Sequence, residues 1–457
     1  MAERTTREFL LGEGAGTGGG PRTIRVGVGP AHPAMHGIIR ILTELDGEVI
    51  VRAEVEIGYL HRAFEKECEQ GPWNNAIPYT DRLNYVSPLI NNFGYCSAVE
   101  KLLGIDITER CKYIRVILSE ISRICDHLTC IGASAMELGA FTVFLYMIKA
   151  REFLWELIEE VTGARLTISY GRIGGVKADL PEGFGDRMRA AFKQVREVLD
   201  EVHRLLTGNR IFMDRMVGVG ALSREETIAY GITGPLLRAV GVPYDVRRAQ
   251  PYYVYDRLDW EVPTQEAGDN YARYLVRMAE MEQSMRIAEQ AMAELPGGPL
   301  NVDAEGRPVD PATYVDLGKQ GKTEGLLLLP ITLSPNLAGS ERPAHARVNV
   351  PDKRVVLPPK EHTYGSIEGL MNHFMLVMDG YGIRPPAGEA YFAVEGANGE
   401  LGFYVVSDGS DRPYRVHCRP PCLPPMAALP RMVEGQMIAD LIPTFGSINM
   451  IGGELDR

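Results

Sequence analysis

Apolar side chains at 271, 274, 278, 281, 285, 288 and 292 recur at alternating steps of three and four. That spacing lays one continuous stripe along an α-helix. The same alternation runs through 188, 192, 195, 199, 202 and 206, and positions 114, 117, 118, 121, 124, 125 and 128 keep the 3.6-residue period. Stripes this long cannot be hidden by any one helix alone. They predict helices that cross at shallow angles and bury the seams against each other, as in a four-helix bundle. The methionines at 278, 281, 285 and 292 read as adaptable filling for that core.

The flanks follow a different period. "TIRVGVG", "IIRILTELDGEVI" and "VRAEVEI" alternate or run apolar around an Asp-Gly turn, predicting a small antiparallel sheet over residues 23–57. Near the other end, "EAYFAVEGANGELGFYVVSDG" reads as a hairpin turning at Asn398-Gly399, after a helix over 364–381. The fold class expected is α+β. Its parts are a flexible leader (1–22), the N-terminal sheet (23–57), a helical bundle (58–295), a Pro/Gly-rich excursion (296–362) and a C-terminal α/β region (363–457). A strand at 325–333 is the one regular element expected inside the excursion. "GEGAGTGGGP" (12–21) follows no strand and opens no helix, so it is read as part of the leader rather than as a dinucleotide loop.

The net charge of −12 argues against a general nucleic-acid binder. "FTVFLYMI" (141–148) and "LLLLPITL" (326–333) are too short to span a bilayer, and the N-terminus lacks an apolar stretch of secretory length. Membrane contact is therefore expected only through partners. Seven cysteines, at 68, 96, 111, 125, 130, 418 and 422, suggest free thiols in a reducing compartment. Cys418 and Cys422, in the proline-packed "HCRPPCLPP", are expected to be surface thiols rather than half a metal site.

"GPAHPAMHG" (29–37) sets His32 and His36 four residues apart. On a helix the two imidazoles would share a face, as a zinc site requires. Pro30, Pro33 and Gly37 instead predict a turn or extended connection, and no glutamate adjoins either histidine to serve as a base.

Several motifs in one order carry a family resemblance: "PAHPAMHG", "IGYLHRAFEKECEQGPWNNAIPYTDRLNYVSPL" (57–89), "IRVILSEISRICDHL", "ELGAFTVFLY", "RIGGVKADLPEGF" and "GGELDR". From about residue 24 onward the chain resembles the D-subunit family of bacterial NADH–quinone oxidoreductase (respiratory complex I), homologous to the mitochondrial 49-kilodalton subunit. That family is similar in fold to the large subunit of nickel–iron hydrogenases. The hydrogenase motifs Arg-x-Cys-x-x-Cys and Asp-Pro-Cys-x-x-Cys fall on Arg82 to Ser87 and Asn449 to Glu454. All four thiolate positions are lost, so a soft nickel–iron centre has no ligands here.

The resemblance implies a quinone site in the vacated region, at the junction with a partner B subunit that carries the terminal [4Fe–4S] cluster. It further implies a C subunit and a membrane-embedded H subunit as partners, with FMN and NADH bound elsewhere in the complex and no cofactor on this chain. The expected place is peripheral, on the cytoplasmic side of the cell membrane. Tyr85 and His36 match the family's headgroup ligands, and His32 is then structural. Glu137 stands where the family has an aspartate partnering the histidine, and Arg82 matches an arginine beside the cluster. Thr167 replaces a histidine that several relatives carry near the cluster. The alternative is a structural or coupling subunit of a ferredoxin-fed or hydrogenase-derived membrane complex. The presence of both Tyr85 and His36 favours the quinone-reducing reading.

Overall fold

A computed structural model describes residues 23–35, 37–303, 306–309, 356–358, 360–365, 367–380 and 382–457. The leader (1–22), His36 and the strand expected at 325–333 lie outside the described residues.

Strands β1 (Ile24–Val28), β2 (Arg40–Asp46) and β3 (Val49–Glu56) form an antiparallel sheet in sequence order. The "PAHPAMHG" segment between β1 and β2 closes into a single 3₁₀ turn, Pro33–Met35, as its prolines dictate. His32 is exposed, and its Nδ1 accepts from the Ala34 N–H at 3.2 Å, so it caps that turn.

After the short α1 (Phe64–Gln70) come α2 (Pro88–Leu103), α3 (Glu109–Glu137), α4 (Phe141–Thr162), α5 (Phe184–Val202) and α6 (Asn270–Ala293). Thr108 starts α3 by accepting from the Cys111 N–H, and Gly104 and Gly163 stop α2 and α4 in left-handed conformation. Helix α3 is central, packing on α4 and α6, with α5 lying against both α4 and α6. The periodic residues meet there: Ile114, Ile121, Leu128, Met188, Phe192, Met281 and Met285 are all fully buried in one core. At about 1.5 Å per residue, the 29 residues of α3 run about 44 Å through it.

The C-terminal region adds the hairpin β4 (Gly388–Gly396) and β5 (Gly399–Ser407), joined by β6 (Arg415–Arg419), with α2 packed on its face. Gly396 pairs with Gly399, so the two turn residues are Ala397 and Asn398, one position earlier than the Asn-Gly motif suggests. Helices α7 (Leu423–Val433), α8 (Ile438–Ile448) and α9 (Gly452–Asp456) return to the start of the molecule. There α7 packs against β3 and α8 against α3, sharing a core with Met35, Ile39 and Ile41. Cys418 and Cys422 are buried, against the expectation of surface thiols. Their prolines do shape a turn, but that turn is folded inward between β6 and α7.

Candidate functional site

The site is assembled where three distant stretches meet. The turn Asp81–Ser87 precedes α2 and is fixed at both ends. Asp81 accepts from the Ser169 N–H (2.9 Å), the Ser169 hydroxyl (2.6 Å) and Asn92 Nδ2 (2.7 Å). At the other end, Asn84 Nδ2 and Ser87 Oγ donate to one oxygen of Asp126 at 2.7 and 2.8 Å. The second oxygen of Asp126 accepts from Asn449 Nδ2 at 2.7 Å, and that amide also donates to Asn398 Oδ1 at 2.7 Å. Asn449 ends α8 with φ 58°, a left-handed conformation that asparagine tolerates better than most residues.

Asp126 is fully buried midway along α3, so leaving it unbonded would cost heavily. Three neutral donors, two from the turn and one from the end of α8, supply the bonds instead. The carboxylate is the bolt that fastens the turn and the α8 end to the bundle. Sequence reasoning missed this residue. Its one signal was an acid next to Cys125 in an otherwise apolar seam.

Tyr85 stands half-buried within the clamped turn. Burial, then the nearby Asp126 charge and Cys422, push its phenol above the ordinary tyrosine value. The hydroxyl therefore stays protonated at neutral pH and is a donor. Gly453 lies directly beneath the turn: a Cβ added there would fall 2.3 Å from the Arg82 carbonyl oxygen and 2.8 Å from that of Leu83. Only glycine allows the two backbones to come so close. Gly453→Ala should push the α9 segment off the turn and cut quinone-directed turnover of the assembled complex at least tenfold. Wild-type rates for this variant, measured by quinone-dependent NADH oxidation, would mean the contact is dispensable.

His36 lies outside the described residues. Its neighbour Gly37 is placed against the same C-terminal segment, with a hypothetical Cβ 3.6 Å from the Gly452 nitrogen. Glu137 is the last residue of α3, 11 residues beyond Asp126, or about 16 Å along the axis. Its carboxylate oxygens are withdrawn from solvent and rest against α8, where a Cβ on Gly446 would come within 2.7 Å of Oε2. This is no ordinary helix-surface glutamate.

Arg82 is exposed, and its guanidinium donates to the Pro78 carbonyl. The Arg82 carbonyl accepts in turn from the Arg62 guanidinium. Burial and the adjacent Arg82 charge both lower the basicity of Arg62. Among the described residues neither arginine forms a salt bridge, so the pair presents two positive charges at the surface. Thr167 is exposed and brings no titratable group.

A small cleft lies between α3, α6 and α8, lined in part by Cys130, Ser134, Arg277 and Ser447. Neither Tyr85 nor Glu137 lines it. Among the described residues no cluster of three or more His, Cys, Asp or Glu side chains is arranged to hold a metal ion. Nor is any described helix long and apolar enough to cross a membrane.

Against this geometry, sequence comparison is decisive. The family model described as respiratory-chain NADH dehydrogenase, 49 Kd subunit, matches residues 137–321 and 338–457. The chain belongs to that family. It is 50% identical over 432 residues to the NADH-quinone oxidoreductase D subunit of Myxococcus xanthus, covering 94% of this chain and 92% of the relative. The D subunit of Methylacidiphilum infernorum is 41% identical over the whole length of both chains. In Bdellovibrio bacteriovorus the relative is a combined C/D subunit, 48% identical over 430 residues, of which the match covers 68%. As a member of this family, the chain is one subunit of a multisubunit oxidoreductase complex.

Proposed function

We propose that this chain forms the quinone-reducing face of its complex. Electrons reach the quinone from a [4Fe–4S] cluster in the adjoining B subunit, having entered through NADH and FMN in other subunits. The observation that carries the reading is the placement of Tyr85. Its phenol is held protonated on a turn that Asp126 clamps between α3 and the α8–α9 segment.

A quinone that accepts two electrons also takes two protons, so donors must reach both carbonyl oxygens. Tyr85 supplies one. His36 supplies the other, with Glu137 as its carboxylate partner. Glutamate is one methylene longer than the aspartate of the family pattern, and its Oε2 rests against Gly446 of α8. The Arg62–Arg82 pair faces the B subunit, where fixed positive charge stabilises the reduced cluster.

Asn84, Ser87, Ile451 and Glu454 occupy the four positions that carry thiolates in the hydrogenase large subunit. The scaffold reads as a hydrogenase-like fold with its metal pocket given over to quinone. The C subunit and the membrane-embedded H subunit complete the surroundings, on the cytoplasmic side of the membrane. The fused C/D relative supports the first of these contacts. The NADH–quinone names of the relatives favour this reading over a ferredoxin-fed bridge.

Photolysis of an azido-quinone bound to the assembled complex tests the placement. Label is expected on peptides carrying residues 82–87 and 446–456, and should be competed away by unlabelled quinone. Competed label found only on other subunits would remove the site from this chain.

A further inference from the structure

Arg273 and Arg277 stand one turn apart on α6, each only 1% exposed. Every other buried arginine among the described residues meets a carboxylate: Arg115 meets Glu100, Arg123 meets Glu120, Arg238 meets Glu280 and Arg247 meets Asp245. These two do not. Arg273 donates to Asn270 Oδ1 and the Ser447 hydroxyl at 3.0 Å each, and to the Gly220 and Gly268 carbonyls at 2.7 and 3.1 Å. All four acceptors are neutral. Arg277 makes one hydrogen bond among the described residues, from Nη2 to the Ile448 carbonyl at 3.4 Å, and its Nε has no partner.

That bare guanidinium lines the small cleft between α3, α6 and α8. Ser134, 7% exposed, lines the same cleft from α3, and its hydroxyl is likewise without a partner. The space has room for about one water-sized group. We propose that this cleft binds a small monatomic anion, such as chloride, between the Arg277 Nε–H and the Ser134 hydroxyl.

Both unpartnered groups can donate, which is what an anion needs. A water could accept the same bonds, but it would leave two positive charges one turn apart in a dry interior, where unpaired charge is costly. A carboxylate or phosphate group is too large for the space. The acids nearby are already committed. Asp126 takes the three bonds described above, and Asp269 accepts from the Gly218 and Ala272 N–H groups at 2.7 Å each. Glu137, at the end of α3, rests against Gly446 and does not line the cleft. Burial, then the Arg277 charge, pulls the Arg273 guanidinium down to about 9, against the opposing charge of Asp269. A bound anion would brace the C-terminal helices, because the two arginines bond Ser447 and Ile448 just ahead of Asn449. This inference concerns how α8 is held and does not rest on the quinone-reducing reading.

Crystals of the assembled complex equilibrated with sodium bromide test the site directly, since bromide scatters anomalously. A bromide peak within hydrogen-bond distance of Arg277 Nε and Ser134 Oγ is expected; a cleft without one overturns the proposal. Thermal loss of this chain from the wild-type complex should also move to higher temperature when chloride replaces gluconate at equal ionic strength, because a ligand of the folded state stabilises it. The effect should saturate, with its half-point below the physiological ionic strength of about 0.15 M. Bromide density without that saturation would mean an adventitious ion only, and refutes the proposal. Arg277→Met keeps an unbranched stem and removes the cation, so its complex should lose the chloride dependence; an unchanged dependence rules the site out. Should that variant not assemble, Ser134→Ala removes one donor and must raise the half-point several-fold, and an unmoved half-point overturns the proposal equally.

Discussion

Tyr85→Phe should slow quinone reduction about 10²-fold, the lower end for loss of a general acid, while the same assembled complex reduces ferricyanide at the wild-type rate. The phenylalanine ring keeps the packing of the turn, so the clamp on Asp126 should survive. Asn84 and Ser87, not the tyrosine, make its bonds. Only the hydroxyl is lost. An ordinary tyrosine titrates near pH 10, and burial with Asp126 nearby raises this one further. The defect should thus be uniform across neutral pH rather than confined to one limb of the profile. Equal loss of both activities would mean the turn had collapsed. No loss of either would make Tyr85 a packing residue and nothing more.

The second large effect concerns stability. Arg238 is fully buried and serves three carboxylates: Nε donates to Glu280 at 2.6 Å, and Nη1 donates to Glu395 at 2.8 Å and to Asp245 at 3.3 Å. Neighbouring Arg247 bonds Asp245 and Glu120, and His127 meets Glu280 at 2.8 Å, so the arginines and acids alternate through the core. Burial and the Asp245 charge already push Glu395 upward. Removing the guanidinium would leave several acids facing one another in a dry interior. Arg238→Met should therefore cost about 3–5 kcal/mol, the range for breaking a buried ion pair. That is a large part of the 5–15 kcal/mol typical of a folded domain. The amount of this chain recovered in assembled complex should fall sharply, and the midpoint of its thermal loss should drop. Arg187→Met is the control. It removes an exposed pair with Glu160, of a kind worth about 0–1 kcal/mol, and should change neither measurement appreciably.

The long helices were legible because burial of a seam imposes a period on the chain itself. Positions 188–202 and 271–292 reveal their helix however the rest is arranged. What such a seam faces is not periodic, and there the reading stopped. Asp126, two residues from both Ile124 and Leu128, points to the other side of α3 from that apolar seam, and nothing local says that its partners are Asn84 and Asn449. The second of these lies 323 residues away. Cys418 and Cys422 were misjudged for a related reason. Proline marks a bend but not which way the bend points, and this one points inward. The Asn398-Gly399 turn slipped by one residue because the Gly396–Gly399 pair, not turn preference, sets the strand register. Tyr85 and Arg82 were found through the family resemblance, and their local sequence alone would not have singled them out.

The clamp on Asp126 also bears on how the protein is made. Its donors sit at 84, 87 and 449, and Gly453 must then seat beneath the turn. During synthesis the early helices leave the ribosome hundreds of residues before the strand-and-helix region that closes over them. Contacts this distant in sequence form slowly and late. On the proposed quinone-reducing reading, a chain whose final helices have not yet docked has a bundle but no closed turn to receive quinone. On that reading, competence waits for the final helices to dock, so an immature chain that joined its complex early would occupy a place in the assembly without the closed turn that quinone reduction requires.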